Sequence, residues 1–261
     1  MAPDSPYFEY LQFARSLADA AGLATLAGFR RPVQIDNKWT TGFDPVTAAD
    51  KAAERAMRRL IQQRYPQHSI LGEEEERAVG SSNFTWVLDP IDGTRSYILG
   101  TPLWGTLIAL NDGSRPVLGL MDQPFTRERF EGDGRGAWLN GAELRTRPCP
   151  ALSEARLMSS SPGMFATPAE QQAFSAVAGQ AQILRYGAAC YAYCMLAAGH
   201  VDAVVEAGLQ PYDIQALIPI IEGAGGIITT WNGGDAQHGG NIVACGDRRL
   251  HAEILGMLQG G

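Results

Sequence analysis

Apolar residues recur with helical spacing in two long segments near the N-terminus and in one at the C-terminus. Residues 5–29 carry apolar side chains three or four positions apart, which predicts a long structural helix. Thr47 is a suitable N-cap, so a second helix is predicted over residues 48–64, and Tyr65-Pro66 ends it. A terminal helix is predicted over residues 249–258.

Short apolar runs between turn residues predict strands through the rest of the chain. They lie at residues 69–71, 86–88, 102–110, 116–121, 155–159, 183–186, 201–206, 227–230 and 242–244. Further helices are predicted at residues 168–178, 190–198 and 214–222. Pro148-Cys149-Pro150 separates an N-terminal α+β half (about 1–147), rich in antiparallel strands, from a C-terminal α/β half (about 148–261). We therefore expect a single domain over residues 1–261, built from two halves.

The strand predicted at residues 86–88 ends in an acidic turn that contains Asp89 and Asp92. Open α/β sheets bind ligands at the carboxyl ends of their strands, and here that end carries two carboxylates. The two carboxylates repel each other unless a cation lies between them, and a hard divalent ion such as Mg²⁺ binds through oxygen atoms alone. A solvated acidic turn is the alternative, because Asp-Pro and Asp-Gly are also ordinary turn sequences.

Four segments resemble the signature motifs of the inositol monophosphatase superfamily and occur in the family's order over about residues 40–230. They are W-V-L-D-P-I-D-G-T at residues 86–94, G-E-E at residues 72–74, D-P-V-T-A-A-D at residues 44–50, and P-Y-D at residues 211–213 followed by G-A-G-G at residues 223–226. The resemblance implies a layered αβαβα sandwich of mixed α+β and α/β class. It also implies a Mg²⁺-dependent phosphomonoesterase that uses a metal-activated water.

The resemblance implies which residues hold the metal and act in catalysis. Two or more Mg²⁺ ions would be bound by Glu73, Asp89, Asp92, Asp213 and the Ile91 carbonyl. Thr94 and Glu73 would position the attacking water, and Asp50 would orient Thr94. From the sequence alone, Asp50 could instead stabilise the start of the helix that follows Thr47. The polar segment at residues 37–42 matches a loop that can supply a further metal contact.

The C-terminal half looks most like the histidinol-phosphate phosphatase branch, through R-Y-G at residues 185–187, C-Y-A-Y at 190–193, E-A-G-L at 206–209 and P-Y-D at 211–213. The substrate-binding residues that the resemblance implies are Gly93, Thr94, Arg185, Gly187, Ala188, Ala189, Glu206 and Asp213. Glu206 would contact the substrate, although an acid that closes a strand is the alternative. The branch reads Y-G-G-D-C-Y-A-Y, whereas this chain has Ala188-Ala189 in the middle.

Three functions are therefore open at this stage. The favoured one is hydrolysis of histidinol phosphate, a step of histidine biosynthesis. The second is hydrolysis of inositol 1-phosphate or of another polyol or nucleotide phosphate. The third, of a different class, is regulation through a protein partner with residual phosphatase activity.

Composition restricts the partners and the compartment. A net charge of −7 argues against a nucleic-acid-binding surface, although bound cations would still admit an anionic substrate. No apolar stretch of about 18 residues predicts a membrane span, and the N-terminus lacks a basic and apolar signal sequence. The cysteines at positions 149, 190, 194 and 245 lack zinc-site spacing, which predicts free, mainly buried thiols in a cytoplasmic protein. The family resemblance implies a homodimer.

Overall fold

The computed structural model of the chain describes residues 6–31, 35–37 and 45–260. Its helices are α1 (Phe8–Gly28), α2 (Ala48–Arg64), α3 (Thr94–Ile98), α4 (Pro168–Ala178), α5 (Cys190–Ala197), α6 (Pro211–Ile214), α7 (Leu217–Gly223) and α8 (Arg248–Gln259). Single 3₁₀ turns lie at Leu152–Glu154, Pro162–Met164 and Ala236–His238. Its strands are β1 (Ile35–Asn37), β2 (Pro45–Thr47), β3 (Ser69–Gly72), β4 (Thr85–Asp92), β5 (Gly105–Asn111), β6 (Pro116–Gln123), β7 (Glu128–Gly132), β8 (Ala137–Leu139), β9 (Ala142–Glu143), β10 (Arg156–Ser159), β11 (Ile183–Tyr186), β12 (Ala203–Leu209), β13 (Ile227–Thr230) and β14 (Gly240–Cys245).

Strands β3 to β9 form a seven-stranded sheet in that order. β3 runs parallel to β4, and the other neighbours are antiparallel. Helices α1 and α2 cover one face, where Leu17 and Met57 pack with Trp86 and Leu88. Val87 points to the opposite face and packs there in a second apolar cluster. Because both faces are covered, the first half of β4 is a continuous apolar run rather than an alternating one.

The second sheet has five strands in the order β11-β10-β12-β14-β13. β10 is parallel to β11 and β12, and the remaining pairs are antiparallel. Helices α4 and α8 cover its outer face, where Val205 packs with Phe174 and Ile254. Val204, the preceding residue of β12, points to the inner face.

Helices α5 and α7 lie between the two sheets. Their cluster joins Leu107 and Met121 of the first sheet to Val204 of the second through Leu196 and Ile220. The layers therefore follow the order α1/α2, seven-stranded sheet, α5/α7, five-stranded sheet, α4/α8. This arrangement confirms the predicted αβαβα sandwich.

The predicted helix at residues 214–222 is divided into α6 and α7. Gln215 and Ala216 keep right-handed helical backbone angles between the two pieces. Pro219 has no N–H to donate to the Gln215 carbonyl, so the hydrogen-bond ladder is interrupted there. The remaining predicted elements agree with the structure apart from shifts at their ends. Residues 38–42, predicted to supply a metal contact, lie outside the described residues.

The four cysteines are free and buried, as predicted. Cys190 and Cys194 lie in α5 between the sheets, and Cys245 ends β14. Within the described residues, no helix combines the length and the hydrophobicity that a membrane crossing requires.

Candidate active site

The acidic residues of the signature segment lie where β3 and β4 end. These strands are parallel, so they end at the same edge of the sheet. Glu73 directly follows β3, and Asp89 and Asp92 belong to the last four residues of β4. The pairing of β4 with β5 changes register between the two aspartates. Pro90, which cannot donate to a neighbouring strand, lies in this interval, and its carbonyl accepts the Thr106 hydroxyl at 2.8 Å.

The acidic side chains predicted to bind metal converge. Asp89, Asp92 and Asp213 each offer a carboxylate oxygen, and these atoms lie within 4.8 Å of one another. Asp213 reaches the cluster from α6, and Asp92 accepts the N–H of Cys190 at the start of α5. Glu73 lines the same cavity, with its carboxyl group in hydrogen-bonding reach of Asp89. Side chains from three separate elements therefore form one acidic cluster.

The electrostatics of this cluster call for a cation. Burial raises the pKa of Asp89 and of Asp213 well above the ordinary value, and the neighbouring carboxylates raise it further. Burial also raises the pKa of Asp92 to about 6, although the hydrogen bond from Cys190 opposes this. A cation between the carboxylates would stabilise their ionised forms. Ile91 also lines the cavity, and the side-chain donors of the cluster are all carboxylate oxygens, which fits a hard divalent ion such as Mg²⁺.

The cavity beside the cluster contains most of the predicted site residues. Those that line it are Glu73, Asp89, Ile91, Asp92, Gly93, Thr94, Gly187, Ala189, Glu206 and Asp213. Two predicted substrate-binding residues are not part of the lining. Arg185 is exposed on β11, and Ala188 is buried in the core between the sheets.

Asp50 caps helix α2. Its carboxylate accepts both the N–H and the hydroxyl of Thr47, which is the N-cap of that helix. The Thr94 hydroxyl donates to the Ile91 carbonyl at 3.1 Å, so the expected hydrogen bond from Thr94 to Asp50 is not formed in this structure. The second oxygen of Asp50 is buried and has no hydrogen-bond partner among the described residues. Burial raises the pKa of Asp50 to about 6.

Glu206 is a further buried acid that lines the cavity. Its side chain is only 2% exposed. One carboxylate oxygen accepts both the N–H and the hydroxyl of Ser160, and the other accepts the Tyr193 hydroxyl at 3.0 Å. Burial raises the pKa of Glu206 to about 7, although these hydrogen bonds oppose the shift. The carboxylate is thus held in one orientation.

The sequence analysis did not identify Ser160 or assign a role to Tyr193. Ser160 follows β10, which is parallel to β12, and Glu206 lies within β12. The strand-end rule that points to Asp89 therefore also applies to Ser160. Tyr193 belongs to a motif of the histidinol-phosphate branch, but its contact with Glu206 depends on how α5 packs between the sheets.

A layered αβαβα sandwich with a carboxylate cluster at its strand ends defines the protein as a metal-dependent phosphatase, a phosphoric monoester hydrolase. The inositol monophosphatase family matches residues 8–260, and the chain belongs to this family.

Individual relatives agree with this assignment over nearly the whole chain. The chloroplastic bifunctional phosphatase IMPL2 of Arabidopsis thaliana is 44% identical, and the match covers 98% of this chain and 77% of that protein. A histidinol-phosphatase of Streptomyces coelicolor is 36% identical, with 97% of each chain covered. The structure of an inositol monophosphatase from Zymomonas mobilis is similar with a TM-score of 0.88 and 40% identity, and it covers 98% of this chain and 99% of that one.

Proposed function

We propose that this phosphatase hydrolyses histidinol phosphate with two or more Mg²⁺ ions in the active site. Buried Glu206 carries the proposal, since it lies in the same cavity as the acidic cluster. Histidinol phosphate has a cationic amine, and a fixed carboxylate is the natural partner for it. Hydrogen bonds from Ser160 and Tyr193 hold the Glu206 carboxylate in one orientation, which supports a fixed binding partner for the amine.

Each site residue has a proposed part in the reaction. When bound, the ions lower the pKa of the attacking water and stabilise the leaving alkoxide. Glu73 and Thr94 position that water, and Asp50 orients Thr94. The backbone N–H groups of Gly93 and Thr94 donate to the phosphate. Direct attack by water inverts the phosphorus centre and releases inorganic phosphate and the alcohol in a single step.

Inositol 1-phosphate is the competing substrate, and a specific observation favours it. Ala189 lines the cavity at the position where the histidinol-phosphate branch, as the sequence resemblance has it, carries aspartate. Without that carboxylate, Glu206 is the acid left to recognise an amine. The same carboxylate can accept a hydrogen bond from a neutral polyol.

A substrate panel tests the proposal. The kcat/KM for histidinol phosphate is compared with that for inositol 1-phosphate, a nucleotide monophosphate and fructose 1,6-bisphosphate, each at saturating Mg²⁺. We expect histidinol phosphate to be hydrolysed with the highest kcat/KM. A higher value for inositol 1-phosphate would assign the second function instead, and phosphatase activity near zero on every ester would favour a partner-binding role.

Metal removal tests the chemistry separately from the choice of substrate. We expect EDTA to abolish phosphatase activity and Mg²⁺ to restore it, because the proposed ions lower the pKa of the attacking water and stabilise the leaving group. Asp89→Asn should lower kcat by several orders of magnitude with an unchanged circular dichroism spectrum. Full activity of the parent enzyme in EDTA would contradict the mechanism. We further propose that the protein is cytoplasmic and forms a homodimer. Light scattering of the purified protein would test the homodimer.

A further inference from the structure

A buried ion pair on α2 lies next to the segment that carries Glu73. Glu54 is completely buried and Arg58 is 5% exposed. They are one helical turn apart, and the Arg58 Nε donates to the Glu54 carboxylate at 2.7 Å. Neither residue lines the active-site cavity.

The ion pair holds the backbone immediately after Glu73. The Glu54 carboxylate accepts the N–H of Glu74 at 2.8 Å and that of Glu75 at 3.1 Å. The Arg58 guanidinium donates to the Glu75 carbonyl at 2.9 Å. Donors and acceptors of the segment are therefore fixed by groups on α2 rather than by a strand partner.

Gly72, the residue before Glu73, also lies against Glu54. A Cβ atom at that position would lie 2.2 Å from the Glu54 carboxylate oxygen and 2.5 Å from its carbon. Any larger residue at position 72 would require the Glu54 carboxylate to move from its present position. Glu54 therefore touches the chain on both sides of Glu73.

We propose that Glu54 and Arg58 are positioning residues for the metal site: they fix residues 72–75 so that the Glu73 carboxylate faces the acidic cluster. This inference rests on the proposed metal-dependent function. Residues 73–76 are four consecutive acids, whose mutual repulsion favours spreading into solvent. The two backbone hydrogen bonds to Glu54 and the charge of Arg58 oppose that spreading and keep Glu73 turned inward.

Packing of α2 does not account for the ion pair. The helix is already attached to the first sheet through Ala53, Met57 and Ile61, which belong to the apolar cluster. A buried ion pair contributes little net stability compared with apolar side chains of similar size, because desolvation offsets the attraction. A role in orienting a metal ligand explains why charged groups lie at this place.

Glu54→Gln tests the inference by direct measurement of metal binding. The variant keeps the shape of the side chain but lacks one of the two charged acceptors. Residues that orient a metal ligand typically change metal affinity by roughly 10- to 100-fold when replaced. We expect the Mg²⁺ dissociation constant, measured by isothermal titration calorimetry without substrate, to rise by at least about 10-fold. At saturating Mg²⁺ the KM for the substrate should be unchanged, because Glu54 does not touch the substrate.

Glu75→Gln is the matched control. It removes one negative charge close to Arg58, as Glu54→Gln does, and disturbs the contacts with Arg55 and Arg58, but it leaves both backbone hydrogen bonds to Glu54 intact. We expect its Mg²⁺ affinity to equal that of the parent. If both variants lost the same Mg²⁺ affinity, the loss would be explained by the change in net charge alone, and the inference would be overturned.

Gly72→Ala would push the Glu54 carboxylate away from the segment and should weaken Mg²⁺ binding in the same way. Unchanged affinity in Gly72→Ala and Glu54→Gln would overturn the positioning role. An unfolded Glu54→Gln protein together with normal affinity in Gly72→Ala would assign the ion pair to fold stability and overturn it as well. Absence of Mg²⁺ binding by the parent protein would instead overturn the proposed function itself.

Discussion

Ala189 has an unusual backbone conformation at the edge of the cavity. Its φ is +46°, a value that favours glycine over residues with a side chain. The Ala189 Cβ lies 3.2 Å from the point that a Cβ on Gly93 would occupy, so the side chain at position 189 is directed at the signature turn. A longer polar side chain there would extend toward Gly93 and Thr94, the proposed phosphate-binding residues.

Ala189→Asp should therefore change substrate preference. A buried charge-assisted hydrogen bond to the amine contributes on the order of 1.5–3 kcal/mol, which is roughly a 10- to 100-fold change in rate. We expect the ratio of kcat/KM for histidinol phosphate to that for inositol 1-phosphate to rise in the variant, measured at saturating Mg²⁺. Ala189→Asn, which adds the same volume without the charge, is the control. An unchanged ratio in a folded Ala189→Asp protein would place the amine elsewhere.

The two carboxylate oxygens of Asp50 have different surroundings. One oxygen caps α2 through Thr47, while the other is buried without a hydrogen bond within the described part of the chain. A buried unpaired acceptor costs about 1–3 kcal/mol. The strand that precedes α2 packs against α3, which begins at Thr94, so the Thr94 hydroxyl is a nearby candidate partner during catalysis.

A double-mutant cycle separates the two roles of Asp50. If Asp50 orients Thr94, then Asp50→Asn and Thr94→Ala should each reduce kcat, and the double variant should lose little more than either one. Thr47→Ala removes the cap hydroxyl together with its hydrogen bond to Asp50, so it should lower the melting temperature. Losses that add in the double variant would leave Asp50 with its capping role alone.

Among the secondary-structure elements, α1 is connected to the first sheet by a network of ion pairs. Arg15 donates two hydrogen bonds to Glu131 of β7, at 2.6 and 2.7 Å. Arg129, also in β7, donates to Asp122 of β6 and to Asp19 of α1, both at 2.7 Å. Glu131 is 3% exposed, so its charge depends on Arg15 for compensation.

Glu131→Gln should lower the free energy of unfolding. Hydrogen bonds to charged groups contribute about 1.5–3 kcal/mol to the free energy of unfolding. The variant leaves the Arg15 guanidinium without its charged partner. Urea denaturation of metal-free protein measures the change. Glu143→Gln is the matched control: its partner Arg145 and Glu143 itself are both more than half exposed, so we expect a change below about 0.5 kcal/mol. Equal effects of the two substitutions would contradict the structural account.

Elements whose signals are local could be predicted from the sequence, whereas partners from distant segments could not. Helix α4 has the predicted bounds because Thr167 and Pro168 start it and residues in its own first turn complete the cap. The acids of the signature segment, Asp89 and Asp92, lie in a recognisable motif. Glu54 contacts a residue 20 positions away, and Ser160 contacts Glu206, 46 positions away. Neither spacing forms a pattern along the chain, so these contacts require the folded structure.

At the scale of the whole molecule, buried acids dominate the response to pH. Burial raises the pKa of five acids in and around the site, namely Asp50, Asp89, Asp92, Glu206 and Asp213. Without metal, the folded protein therefore holds protons that the unfolded chain releases above about pH 4. Their stabilising contribution is complete below that pH and is lost as the pH rises through the folded pKa values. Burial lowers the pKa of His68 and His251, which has the opposite effect on stability.

Metal-free protein should accordingly melt at a higher temperature at pH 5 than at pH 7.5. Under the proposed function Mg²⁺ would bind the ionised carboxylates, so the increase in melting temperature on adding Mg²⁺ should grow over the same interval. Differential scanning calorimetry in EDTA and in Mg²⁺ at both pH values measures the four temperatures. The two histidines do not line the cavity, so their protonation affects the melting temperature equally with and without Mg²⁺. An effect of Mg²⁺ that is independent of pH would contradict the pKa assignments.

Asp213 reaches the cluster from α6, while Asp89 and Asp92 come from β4 of the seven-stranded sheet. A cation held between them would link α6 to that sheet. If the link forms after the folding transition state, the folding rate would be unaffected, whereas unfolding would be slowed. The catalytic centre would thus also set the lifetime of the folded enzyme.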